Sequence, residues 1–367
     1  MDRIVATYRV RSDAQAVEMR ARAIALEQSI EAPREAVRDD YVAREIVAEV
    51  RNISEAGTGL YDIALGLSAA TVGGDAGQLL NMLFGNTSLQ ADVEFLDFAL
   101  PPETLALFPG PGQGLDGLRA RTGAQGRALT CVALKPQGLG PPALGALAEA
   151  FALGGVDFIK DDHGLADQSY SPYAQRVRAG ADAARRAAER TGRLARYAPS
   201  LSGHYGTMRA QIAIAREAGL DTVMVAPMLA GLATVQALAA ENRDVAFFAH
   251  PTMGGAARIA PPALMKLFRL VGGDVGIFPN FGGRFGYSRR TCLAVAEALR
   301  GPLGGLKAAA PTPAGGMTPA RVPEMLALYG PDTMLLIGGA LLVAPPEKLT
   351  QETAAFVRAV ADHEGEA

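Results

Sequence analysis

Apolar and polar positions alternate over residues 4–10 and again over 93–100, the period-two pattern of half-buried strands. Between them, residues 14–27 carry helix formers with apolar positions at helical spacing, and 77–84 make a short amphipathic helix. Residues 45–53 and 61–67 read as two strands of a hairpin around Glu55-Ala56-Gly57-Thr58-Gly59. Strand, helix, strand, strand, helix, strand is the order of a ferredoxin-like α+β sandwich. The stretch Phe108-Pro109-Gly110-Pro111-Gly112-Gln113-Gly114 then interrupts the rhythm, so an N-terminal domain is expected over 1–116.

Beyond it, short apolar runs alternate with longer helical segments. The runs lie at 128–134, 156–159, 196–199, 222–225, 245–249, 275–278, 306–310 and 333–337. Helical patterns fall at 143–153, 173–191, 206–217, 229–241, 262–270, 288–299, 320–329 and 348–361. This many strand-then-helix units predict a C-terminal (β/α)8 TIM barrel over 117–367, with a doubly wound sheet as the competing architecture.

Composition narrows the function classes. The 367 residues are 49% hydrophobic and 20% charged, which excludes global disorder. With 35 Lys+Arg against 38 Asp+Glu the net charge is −3, which argues against a nucleic-acid partner held by a basic surface. Cys131 and Cys292 are the two cysteines, one in an apolar strand and one in a helix, and read as inert core. The start Met1-Asp2-Arg3-Ile4-Val5 has no signal-peptide core, and the apolar run 334–344 is too short to span a bilayer. The expectation is a soluble, cytoplasmic protein with no membrane partner.

In a barrel, chemistry collects at the C-terminal strand ends. The first run ends in Lys135-Pro136-Gln137, the second in Lys160-Asp161-Asp162-His163 and the fifth in His250. The sixth leads into Asn280-Phe281-Gly282-Gly283-Arg284, the seventh into Gly315-Gly316 and the eighth into Gly338-Gly339. Glycine pairs at the last two ends let backbone N–H groups approach a phosphate closely, although each pair also suits a tight turn. Strand alternation sends Lys160 and Asp162 to one side and Asp161 to the other. A cation held there would stabilise an enolate, whereas a solvated charged loop is the plainer alternative. Lys135, between Leu134 and Pro136, reads as a desolvated acid–base lysine or as a snorkelling surface one. His250 is a candidate catalytic residue at its strand end, with a structural hydrogen-bonding role as the plainer alternative; His204 is the weaker candidate, and His363 reads as solvated.

Together these residues resemble the RuBisCO large-chain superfamily over essentially the whole chain. The resemblance rests on Leu134-Lys135-Pro136, on Gly154-Gly155-Val156-Asp157-Phe158-Ile159-Lys160-Asp161-Asp162, on Gly203-His204-Tyr205, on Ala314-Gly315-Gly316, on Gly338-Gly339 and on Phe84-Gly85-Asn86. It implies a homodimer with active sites at the subunit interface. It also implies that Lys160, carbamylated by CO2, binds Mg2+ with Asp162 and the next residue, and that Lys135 transfers protons. Asn86 and Glu27 would reach into the partner's site.

The departures point to a RuBisCO-like protein that keeps only the enolising half of the chemistry. His163 stands where the carboxylases have a glutamate ligand, which suits Mn2+ or Zn2+ better than Mg2+. Gln137 replaces the second lysine of Lys-Pro-Lys, and His250-Pro251 lacks an arginine that grips one phosphate. Arg284 stands in for the mobile-loop lysine. With one cradle left, the expected substrate is a phosphorylated ketose or oxo sugar acid carrying a single phosphate. Isomerisation, tautomerisation and decarboxylation all pass through such an enolate. The methionine-salvage enolases carry a lysine where this chain has Asn86, which leaves that reaction as an alternative; His163 and Pro251 change parts the family uses, which leaves a non-catalytic sugar-phosphate-binding or regulatory role as another. Carboxylation of ribulose bisphosphate is not expected.

Overall fold

A computed structural model describes residues 3–363. The chain forms two compact units, Met1–Pro109 with Met253–Leu267, and Gly110–Thr252 with Phe268–Ala367. Among the described residues no helix is long and apolar enough to cross a membrane.

In the first unit β1 (Arg3–Arg11), β2 (Glu49–Gly57), β3 (Leu60–Ser68) and β4 (Val93–Ala99) form an antiparallel sheet in the order β2-β3-β1-β4. Helices α1 (Val17–Glu27) and α2 (Ala76–Phe84) complete the ferredoxin-like order. The period-two pattern of β1 buries Ile4, Ala6, Tyr8 and Val10 on one face, where Tyr8 packs on Phe84 and Phe95. Asp75 caps α2 by accepting from the Gln78 amide at 2.6 Å, which satisfies one of the free N–H groups at a helix start. The hairpin forms, but its first strand begins at Glu49 rather than 45, because Val42–Ile46 coil into a π-helical turn. Ile259, from the segment Met253–Leu267, pairs in parallel with Phe95 of β4.

The second unit carries eight parallel strands: β5 (Leu129–Ala133), β6 (Phe158–Lys160), β7 (Arg196–Ala198), β8 (Thr222–Val225), β9 (Ala246–Ala249), β10 (Gly273–Pro279), β11 (Ala310–Ala314) and β12 (Met334–Ile337). They run β12-β5-β6-β7 and β8-β9-β10-β11, and the bridge Ser200↔Met224 joins β7 to β8. Closure falls between β11 and β12, where the strand reads Ala-Pro-Thr-Pro-Ala. The Ala314 carbonyl accepts from Asn280 beyond β10, so alternation turns Pro311 and Pro313 toward β12. Proline has no N–H to give, so a side-chain bond from Thr333 to the Pro311 carbonyl at 2.8 Å stands in for the ladder. The same prolines hid this strand in the sequence: residues 306–309 are a loop, in which the carbonyls of Leu306 and Lys307 accept from Arg269. The helix expected over 229–241 is divided at Gly231, whose φ of 86° breaks the helical turn.

Inside the barrel Phe158 and Phe248 meet at 5.3 Å between ring centroids, among Cys131, Met224, Ile277 and Leu336. This apolar plug holds the strand ends above it at fixed heights.

Candidate active site

β5 and β6 set the first contacts. Ala133 and Lys160 are in register, and the Leu134 amide donates to the Lys160 carbonyl at 2.9 Å. Lys135 and Asp162, each two residues past that pair, therefore meet, and Lys135 Nζ ion-pairs with Asp162 Oδ2. Alternation divides the acidic pair as expected. Asp161 turns away and accepts from Arg176 Nε at 3.0 Å, Tyr197 OH at 2.6 Å and the Ser200 amide at 3.0 Å.

Lys160 is 3% exposed, and its Nζ donates to the Asp161 carbonyl at 2.8 Å. Burial lowers its pKa, opposed by Cys131 and Asp162 and reinforced by Lys135. Lys135 has a side chain 36% exposed. Of its two readings Lys135 thus takes the part-exposed one, and the desolvated amine is Lys160. Burial raises the Asp162 carboxyl, but hydrogen bonds from Lys135 and the Gly164 amide outweigh it and leave the pKa lowered.

The two strand-end histidines meet. His163 and His250 stack at 4.5 Å between centroids with planes 10° apart, and His163 Nδ1 lies 3.4 Å from Asp162 Oδ1. Burial and the charges of Lys160 and Lys135 lower the pKa of His163 against the pull of Asp162. His250 is pushed down to about 2 by burial and by Lys160. Its Nδ1 accepts from the Thr252 amide at 3.3 Å and lies 2.6 Å from Thr252 Oγ1, which assigns the ring proton to Nε2.

The glycine pairs fall where expected. Gly315 and Gly316 follow β11 with φ of 78° and 73°, a left-handed path that side chains resist. A Cβ on Gly338 would stand 3.8 Å from Lys135 Cε, so the pair after β12 faces the lysine. Arg284 lies over the Phe285 ring at 4.9 Å, and its charge contributes to the lowering of His163. In the first unit Asn86 Nδ2 donates to Glu27 Oε1 and to Glu31 Oε1, each at 3.0 Å. His204 caps the helix Tyr205–Glu217, and burial raises the Cys131 thiol to about 12, as suits a structural cysteine.

Residues 114–278 match the family described as ribulose bisphosphate carboxylase large chain, catalytic domain. The crystal structure of a Rubisco-like protein from Rhodopseudomonas palustris superposes with a TM-score of 0.93 at 48% identity, covering 100% of both chains. The chain belongs to the RuBisCO-like proteins. It is also 58% identical over 362 residues to a 5-methylthioribulose-1-phosphate isomerase of Rhodospirillum rubrum, covering 98% of this chain and 96% of that one. A 2,3-diketo-5-methylthiopentyl-1-phosphate enolase of Geobacillus kaustophilus is 34% identical over 277 residues, 73% of this chain and 67% of the enolase.

Two residues bonded to these side chains differ in how far the sequence of this RuBisCO-like protein signals them. Arg176 lies between Tyr173 and Val177 on the buried stripe of its helix, and an arginine on an apolar stripe was the available signal for a buried partner. Glu31, at φ 47°, had no such signal. His250 also carries a pH prediction. Its lowered pKa means that its share of stability is full above the ordinary histidine range and falls as pH drops below it. Histidine-labelled NMR is expected to show a neutral His250 ring with Nε2–H from about pH 8 down to about pH 5. A His250 midpoint inside that window would contradict the buried, Thr252-bonded ring.

Proposed function

We propose that this RuBisCO-like protein isomerises a phosphorylated ketose, with 5-methylthioribulose-1-phosphate as substrate, by removing a proton beside the carbonyl. The observation that carries the reading is the buried Lys160 amine, lowered in pKa and placed beside the Lys135–Asp162 pair and the His163–His250 stack. The 58% identical isomerase supplies the substrate.

Lys160 Nζ takes the proton from the carbon next to the carbonyl and leaves an enediolate. Lys135 Nζ, held by Asp162, moves a proton at the substrate oxygen, and His250 Nε2–H donates to the developing charge. Return of the proton to the other carbon of the enediol shifts the carbonyl by one position with no change in composition. The phosphate rests on Gly315, Gly316, Gly338 and Gly339, with Arg284 beside it. A second copy supplies Asn86 and Glu27 from its N-terminal unit.

Asp162 and His163 supply two adjacent donors for a divalent cation. Among the described residues no group of three or more His, Cys, Asp or Glu side chains is placed to hold one, so Asp162 and His163 need a further donor. A neutral buried amine is the form that takes up CO2, and the resulting carbamate on Lys160 would complete the set. The imidazole of His163 favours Mn2+ or Zn2+ over Mg2+. When bound, the ion polarises the carbonyl.

Product analysis by 31P and 13C NMR tests the reading. The expected result is conversion of 5-methylthioribulose-1-phosphate to an isomer of equal mass, with no label entering from CO2 and ribulose bisphosphate. Turnover of the 2,3-diketo phosphate with none of the ketose would replace the isomerase reading by the enolase one.

A further inference from the structure

Past β10 the chain turns through Asn280-Phe281-Gly282-Gly283-Arg284, and Asn280 is 0% exposed. Its amide is fully engaged. Nδ2 donates to Met325 Sδ at 2.9 Å and Met317 Sδ at 3.3 Å, and Oδ1 accepts from Tyr329 OH at 2.7 Å. Thioethers are weak acceptors, and a leucine would fill the same space without desolvating a carboxamide. What the amide adds is direction, because its N–H and C=O groups are satisfied in one orientation only.

Arg321 ties the same loop from its other side. NH1 donates to the carbonyls of Phe281 at 3.2 Å and Gly316 at 3.3 Å, and the guanidinium lies 5.1 Å from the Phe281 ring centroid. Between these anchors the two loops meet backbone to backbone. A Cβ on Gly316 would stand 2.5 Å from Gly283 Cα, and one on Gly283 would stand 2.5 Å from the Gly315 carbonyl oxygen. The Asn280 backbone N–H donates to the Ala314 carbonyl at 2.8 Å.

We propose that Asn280 and Arg321 are positioning residues that clamp the loop after β10 onto Gly315–Gly316 and so set the anion-binding geometry of that glycine pair. The inference rests on the reading of this pair as the phosphate cradle. Both residues act through the glycine backbone rather than on the reacting atoms. Their loss therefore weakens phosphate binding more than it slows the chemistry.

The test uses the full chain, wild type and the variants Asn280→Leu and Arg321→Met. Inorganic phosphate binding is followed by 31P NMR titration, and KM and kcat are measured on 5-methylthioribulose-1-phosphate. In each variant the expected result is a rise of about tenfold in both the phosphate Kd and KM, with kcat changed less than about threefold. Phosphate affinity and KM unchanged in folded variants, or a fall confined to kcat, would overturn the positioning role while leaving the isomerase reading in place. A wild-type enzyme that neither binds phosphate nor turns over the ketose would remove both. Should Asn280→Leu fail to fold, Arg321→Met, changed at a part-exposed side chain, decides alone.

Discussion

Lys160→Ala is expected to abolish isomerisation, with turnover falling about a thousandfold or more, the upper part of what a positioned acid–base group contributes. The same variant is expected to keep its fold. Holding an amine at 3% exposure costs free energy, and the lowered pKa is the sign of that cost. Removing the amine therefore leaves thermal stability equal or higher while activity disappears, a combination that general unfolding does not produce. Lys160→Met, which preserves more of the side-chain volume, should behave in the same way. Steady-state turnover and a thermal melt on the same sample check the pair of outcomes. Turnover within tenfold of wild type would remove Lys160 from the chemistry.

Arg176→Ala is expected to act in the opposite sense, with stability lost first. Arg176 is 1% exposed and its Nε binds Asp161, which is itself 0% exposed. NH1 reaches the Ser171 carbonyl at 2.7 Å, and the guanidinium lies 5.5 Å from the Tyr173 ring centroid. Without Arg176, Asp161 keeps Tyr197 OH and the Ser200 amide but loses its counter-charge in a dry site. Breaking one partner out of a buried pair costs about 3–5 kcal/mol, which chemical denaturation resolves readily. Asp161 stands between Lys160 and Asp162 in the chain. Its loosening should also broaden the placement of both, so activity declines with temperature well before the global melt. A loss under about 1 kcal/mol would show that this pair does not hold the strand end.

Much of the architecture was legible because it rests on periodicity. β1 alternates for nine residues, and 173–191 shows helical spacing throughout, so both elements appear where the pattern put them. The seventh barrel strand was misplaced by four residues because Pro311 and Pro313 sit inside it, and prolines argue against a strand until one sees that they face β12, with which β11 makes no ladder. The cluster Lys135, Lys160, Asp162, His163 and His250 was legible because strand ends of a barrel converge and alternation fixes which side chains share a face. Which lysine is desolvated was not legible. Leu134 and Pro136 flank Lys135 in the chain, yet burial is decided by neighbours across the barrel, and it falls on Lys160. The amide clasp of Asn280 was equally hidden, because Met317 and Met325 come from a loop and a helix distant in sequence.

The most direct test of proton abstraction is isomerisation of 5-methylthioribulose-1-phosphate in deuterated water, followed by proton NMR. Carbon-bound deuterium is expected in the product at the position where the new C–H bond forms, because the proton passes through the exchangeable amine of Lys160. Product formed at full rate with no deuterium at that carbon would contradict this route and point to direct transfer between the two carbons.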